Sequence, residues 1–248
     1  MKKILITAPV HENIKIFKEY LWSLNRLEIP EGYEVYKYFY LHEANNLKKL
    51  LQPNEYEIFN SNIKIKENNN WSQEKLNIIA QMRTKALEYA RLNKFDYIFF
   101  VDSDVILHKK SLIDLLEKKK DIIGKIYWTA FDPTQPQNII PNCYDDNIRG
   151  QKSLKRNLIS YKFIGTYEVG VISGAVLISS KIFNESLLNY YPISILSSSV
   201  WEDYSFCVKS KCFFPNLKIY IDTLHPAKHL YNIEDYNNWI KWEKEEWK

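Results

Sequence analysis

Cysteine is scarce in this chain: Cys143, Cys207 and Cys212 are the only three in 248 residues, and no two form a Cys-x-x-Cys pair. A disulfide framework and a zinc cluster are therefore poor readings, and a reducing, cytoplasmic setting is expected. Long apolar runs are missing as well. Met1-Lys2-Lys3 leads into an apolar run of about five residues closed by Pro9, too short for a signal peptide. The stretch from Val169 to Ile178 is about half of the roughly 20 residues that a membrane helix requires, so no transmembrane segment is expected. No glycine occurs between Leu5 and Asn13, which excludes a Gly-rich phosphate loop there and argues against a nucleotidyltransferase. Excess charge of one sign is also lacking. A net charge of +4 suits a protein that handles small anions but not one that binds nucleic acid.

What is present is the composition of a globular protein, 46% hydrophobic and 26% charged. A chain of this length buries roughly 70–75% of its unfolded surface and needs no staple. Strands are predicted over residues 2–7, 33–41, 96–101 and 121–128. Helices are predicted over residues 14–27, 43–51, 73–93 and 109–120, with Ser72 as an N-cap. This alternation implies parallel βαβ units and an α/β fold with a mostly parallel sheet. Residues 60–70 read as a loop. From 129 to 158 no period is visible, and the stretch reads as a functional loop or as an irregular surface excursion. A strand over 169–178, a helix over 181–188 and a strand over 217–221 follow. Residues 236–248, if helical, gather Tyr236, Trp239, Trp242 and Trp247 on one face, expected to dock on the domain.

Chemistry concentrates in four places. Asp102-Ser103-Asp104 ends the apolar run Phe95 to Val101, where open α/β sheets bind ligands. Two hard carboxylates there can hold a divalent cation and through it a diphosphate. They can equally end a strand and cap the next helix. Gly174, read as lying inside an apolar strand, permits close approach of a ligand or another backbone. Glu202-Asp203 opens a helix, where the dipole favours acids and where a desolvated carboxyl can become a general base. His225 and His229 follow the strand ending at Asp222-Thr223, and either can be structural or a metal ligand.

In order, these motifs resemble the nucleotide-sugar-dependent glycosyltransferases of the GT-A fold, especially the inverting family 2. The matching residues are Ala8-Pro9-Val10-His11-Glu12, Arg83 followed by Thr84 where that family has Asn, Asp102-Ser103-Asp104, Gly174, Glu202-Asp203, and Asp222-Thr223 with His229. The resemblance spans roughly residues 4 to 230. It implies a Rossmann-like α/β fold forming one domain over 1–248. Residues 1–128 would be the nucleotide-binding half, 129–232 the acceptor-side half and 233–248 a C-terminal helix. It implies a metal-dependent inverting transfer from a nucleoside-diphosphate sugar to a saccharide or other hydroxyl acceptor. Asp104, Asp102 and His229 would hold Mn²⁺ or Mg²⁺, with His225 as rival to His229. Asp203 would be the base and Glu202 its partner or substitute. Ala8, Pro9, His11, Glu12, Arg83, Asp102, Ser103 and Gly174 would line the donor site. A retaining transferase on the same fold, a nucleotidyltransferase and a non-catalytic sugar-binding module are the alternatives.

Overall fold

A computed structural model describes residues 1–43, 46–61, 72–130, 139–144, 159–193 and 201–247. Seven strands form the central sheet: β1 (Lys2–Thr7), β2 (Tyr33–Lys37), β3 (Tyr97–Val101), β4 (Ile122–Lys125), β5 (Thr166–Val169), β6 (Ala175–Ser179) and β7 (Ile219–Asp222). Their spatial order is β5-β7-β4-β6-β3-β1-β2. β1 pairs in parallel with β2 and β3, and β4 in parallel with β7, whereas β6 and β5 run antiparallel to their neighbours. The sheet is therefore mainly parallel, as the alternation of elements implies.

Successive strand residues point to opposite faces, so apolar runs such as Tyr97–Val101 feed two cores. Ile98 and Phe100 face one layer with Met82, Ala86 and Phe206. Phe99 and Val101 face the other, with Phe17, Tyr20, Leu112 and Trp239. The first layer is covered by the Gln73–Leu92 and Glu202–Phe213 helices, the second by the Ile14–Asn25 and Ser111–Glu117 helices. Each fully buried Phe or Leu contributes about 1.5–3 kcal/mol. Capping follows the sequence: Ser72 accepts from the Lys75 amide and Asn13 from the Lys15 amide.

Several elements depart from the sequence reading. The strand expected over 33–41 is two strands, because Phe39–His42 leaves the main sheet to pair with Pro9–Val10 and Tyr56–Phe59. The strand expected over 169–178 is broken at Gly174, whose φ is +77°. Gly174 thus occupies a turn ahead of β6 and not a strand interior. Part of the stretch read as aperiodic is ordered, since Trp128–Ala130 pairs with Ile139–Pro141. Residues 131–138 and 145–158 of that loop, and most of the loop over 60–70, lie outside the described residues.

The C-terminal segment docks on the domain. Trp239 is buried, donates Nε1–H to Glu19 Oε2 at 3.1 Å and meets Trp22 edge-on. A wider helical turn over Trp239–Glu243 rotates Trp242 out to solvent, so the four aromatics do not share one face. Among the described residues no helix is long and apolar enough to cross a membrane.

None of the three cysteines is in a disulfide; Cys143 and Cys207 are buried and Cys212 is exposed. Burial pushes the Cys207 thiol up to about 12. Titration of the native protein with a thiol reagent at pH 8 is expected to modify Cys212 quickly, the other two reacting only on unfolding.

Candidate active site

The site lies at the C-terminal ends of β1, β3, β4 and β7, with parts drawn from the whole length of the chain. Asp102 and Asp104 flank a tight turn in which the Val105 amide donates to the Asp102 carbonyl at 2.9 Å. The Asp102 amide donates to the Gly174 carbonyl at 2.7 Å, tying this turn to the one ahead of β6. Ser103 is buried inside the turn.

Arg83 is the hub. It is buried on the Gln73–Leu92 helix and donates from Nη2 to Asp102 Oδ1 at 2.7 Å and from Nη1 to Asp203 Oδ1 at 2.6 Å. Its Nε stands 3.8 Å from Glu202 Oε1. Its guanidinium also lies over the rings of Phe100 and Tyr190. Thr84, next to it, accepts from the Tyr190 amide at 3.1 Å and so serves the architecture of this wall. One guanidinium faces three carboxylates, and this imbalance sets the electrostatics. Desolvation pushes the Asp203 carboxyl well above its ordinary value, and neighbouring Glu202 and Asp102 add to the effect against Arg83. Glu202 is raised chiefly by burial. Asp102 is pushed up to about 6, by desolvation first and then by Asp104 and Glu202, with Arg83 opposing.

Asp104 lies on the other side of the turn. His229 Nε2 approaches its Oδ2 at 3.1 Å. Desolvation alone would raise the Asp104 carboxyl, but the His229 imidazole outweighs it and holds it below the ordinary range. This meeting spans 125 residues. It is produced by backbone pairing of Lys228–His229 with Val105–Ile106 and by the Leu230 amide donating to the Asp104 carbonyl at 2.8 Å. The His229 ring stacks on Tyr127 at 5.1 Å, and its Nδ1 lies 2.8 Å from Thr129 Oγ1. Glu12, half-buried, faces the same space, its carboxyl pushed up to about 8 by desolvation and then by Asp104.

The expected site residues separate into those brought together and those sent elsewhere. Glu12, Arg83, Asp102, Asp104, Glu202, Asp203 and His229 converge. His225 does not. Its Nδ1 pairs with Asp114 Oδ2 at 3.0 Å and its ring stacks on His108 at 4.3 Å. Ala8 and Pro9 contribute backbone: the Ala8 carbonyl accepts from the Tyr40 amide, and Pro9 is in strand register with Tyr40. His11 is exposed and meets buried His42, with 3.4 Å between their Nδ1 atoms. At Gly174 the close approach comes from within the protein, because an added Cβ would lie 2.0 Å from the Tyr127 hydroxyl. Sequence reasoning missed Tyr127 and Thr129, which fall on or beside a stretch read as aperiodic. It also read no role into Asp222, which pairs with the buried amine of Lys125 at 2.5 Å.

A divalent cation fits this arrangement in part. Asp104 Oδ1 is a buried oxygen with no hydrogen-bond partner, beside an imidazole nitrogen and within a surplus of carboxylates. Among the described residues, however, no three His, Cys, Asp or Glu side chains converge as a ligand set. Asp104 and His229 would therefore supply two positions and leave the rest to water and a diphosphate, as hard cations accept.

A mainly parallel α/β sheet with acids at this switch point defines the GT-A class of fold. The chain aligns over 95% of its length with TarS of S. aureus, residues 1–349 solved in complex with UDP, at a TM-score of 0.53, 16% identity and 62% of that chain. It aligns equally far with the mannosyltransferase PcManGT from Pyrobaculum calidifontis, solved with GDP-Man and Mn²⁺, at a TM-score of 0.54, 10% identity and 59% of that chain. Residues 30–221 match the family described as glycosyltransferase family 25, N-terminal domain, and the chain belongs to that family. A "Glycosyltransferase 25 family member" of Anopheles gambiae is 26% identical over 126 residues, which is 50% of this chain and 21% of that relative.

Proposed function

We propose that this chain transfers a sugar from a nucleoside-diphosphate sugar to an acceptor hydroxyl, with a divalent cation and with inversion at the anomeric carbon. The observation that carries the reading is the double ion pair of Arg83 with Asp102 and Asp203, which supports a metal-side acid and a base sharing one guanidinium. The donor class is supported by the UDP and GDP-Man bound in the structural neighbours, and the cation by the Mn²⁺ in one of them. The order of motifs also supports a family 2-like plan of the site within family 25 membership. Three cysteines outside any disulfide suit a cytoplasmic setting.

Asp104 and His229 would hold Mn²⁺ or Mg²⁺, with Asp102 held back on Arg83 to receive a metal-bound water or the ribose. When bound, the cation supplies charge stabilisation to the departing diphosphate. Asp203, with Oδ1 on Arg83, keeps Oδ2 to take the proton of the acceptor hydroxyl as it attacks the anomeric carbon from the face opposite the diphosphate. A desolvated carboxylate with a raised pKa suits a general base. Glu202, buried beside Arg83, maintains the charge that holds the guanidinium in place. Glu12 and the backbone of Ala8 and Pro9 would face the nucleotide.

Thermal unfolding with nucleoside diphosphates and nucleotide sugars, in Mn²⁺ and in EDTA, tests the donor and the metal together. A ligand at 100 times its Kd stabilises by about 2.7 kcal/mol. One nucleotide should give a Mn²⁺-dependent shift that Asp104→Ala abolishes. A shift indifferent to EDTA would remove the metal from the reading. NMR of the glycosylated product reads the stereochemistry, and a retained anomer would overturn inversion. Tight nucleotide binding without hydrolysis or transfer would return the chain to a binding module.

A further inference from the structure

The geometry points to Thr129 as a positioning residue that selects which nitrogen of His229 faces the cation, an inference that rests on the metal reading of Asp104 and His229. His229 is restrained on every side. Its backbone is in strand register with Val105. Tyr127 stacks on its ring at 17° and 5.1 Å, and Tyr231 is tilted against it at 5.6 Å. These contacts fix the plane of the imidazole but are blind to its protons. Thr129 is buried on the Trp128–Ala130 strand, and its Oγ1 at 2.8 Å is the polar neighbour of Nδ1. With Thr129 accepting the Nδ1 proton, Nε2 is the nitrogen that gives up its own proton, shared with Asp104 Oδ2 in this structure, when a cation takes its place beside the unpartnered Oδ1. A metal-bound imidazole needs such a partner on its other nitrogen to fix its tautomer and orientation.

The room for this arrangement is itself specified. Gly174 leaves the volume that the Tyr127 phenol fills, so the ring that supports His229 depends on the absence of a side chain there. Thr129 is itself held in strand register with Ile140, which fixes the position of the selecting hydroxyl.

The test is Mn²⁺ binding to the 248-residue chain, read from free Mn²⁺ by electron paramagnetic resonance with no nucleotide present. Thr129→Val, which keeps the β-branched shape and removes the hydroxyl, should weaken Mn²⁺ binding by about 10–100-fold, the usual effect of losing such a partner. Thr129→Ser should restore it, which a purely steric role would not do. Parental affinity in Thr129→Val, with loss in His229→Ala, would overturn the role of Thr129 alone. Parental affinity in His229→Ala would overturn the metal reading and this inference with it. A second measurement needs no Thr129 variant: the ring nitrogens of His229, assigned by their disappearance in His229→Ala, are read by ¹⁵N NMR with diamagnetic Mg²⁺. A protonated Nδ1 and a bare Nε2 support the selection, and the opposite tautomer refutes it.

Discussion

Asp203→Asn will bind nucleotide and Mn²⁺ like the parent and lose about 10²–10⁴-fold in kcat, the contribution of a positioned general base. That loss corresponds to about 3–5 kcal/mol of barrier. The substitution isolates the proton transfer because the amide oxygen of Asn can still accept from Arg83 Nη1, now 2.6 Å from Asp203 Oδ1. Arg83 also retains Asp102 at 2.7 Å and the nearby Glu202, so no buried cation is left alone. The decisive comparison is single-turnover transfer against thermal stabilisation by the same donor. Transfer at the parental rate would remove Asp203 as the base and direct attention to Glu202, buried 3.8 Å from Arg83 Nε. A parallel loss of donor binding would mean instead that the carboxylate mainly holds Arg83 in place.

The second large effect concerns stability. Lys125 is completely buried at the end of β4, its amine 2.6 Å from Asp114, 2.5 Å from Asp222 and 2.6 Å from the Leu224 carbonyl. Asp114 also receives His225, a residue with φ of +49° at the bend of the loop that carries His229. Truncation to Lys125→Met keeps most of the volume but takes the buried amine from Asp222 and leaves Asp114 with His225, a change that costs about 3–5 kcal/mol when one partner of a buried pair is removed. Urea unfolding should show a lowered midpoint of that size, and adding Asp222→Asn should recover part of it, because the pair is coupled. A Lys125→Met protein as stable as the parent would mean that water or a shifted loop satisfies both acids. Since the same loop delivers His229 to Asp104, the variant should bind Mn²⁺ more weakly even where it remains folded.

The sequence by itself determined the elements whose signal is local. The apolar run ending in Asp102-Ser103-Asp104 is a buried strand with acids at its C-terminal end, because strand propensity and turn chemistry act within a few residues. Ser72 caps the long helix as its side chain predicts, and the alternation of helices and strands implied the mainly parallel sheet. Docking of the C-terminal aromatics was legible in kind. Which of them face inward was not, because one wide turn over Trp239–Glu243 shifts the phase by which Trp242 would have followed Trp239.

Tertiary structure decided what depends on distant partners. Whether His225 or His229 reaches Asp104 is open in the sequence, where both follow the same strand. Backbone pairing of residues 228–229 with 105–106 settles the position of each ring. Arg83 was legible as a motif residue, yet its bridge to acids 19 and 120 positions away comes from packing its helix against both the end of β3 and the Glu202–Phe213 helix. Gly174 read as room for a ligand or another backbone, and the fold fills that room with the ring of Tyr127. Thr129 carries no local signal at all. A hydroxyl on a short strand acquires a chemical role only when the chain returns a hundred residues later to place an imidazole 2.8 Å away.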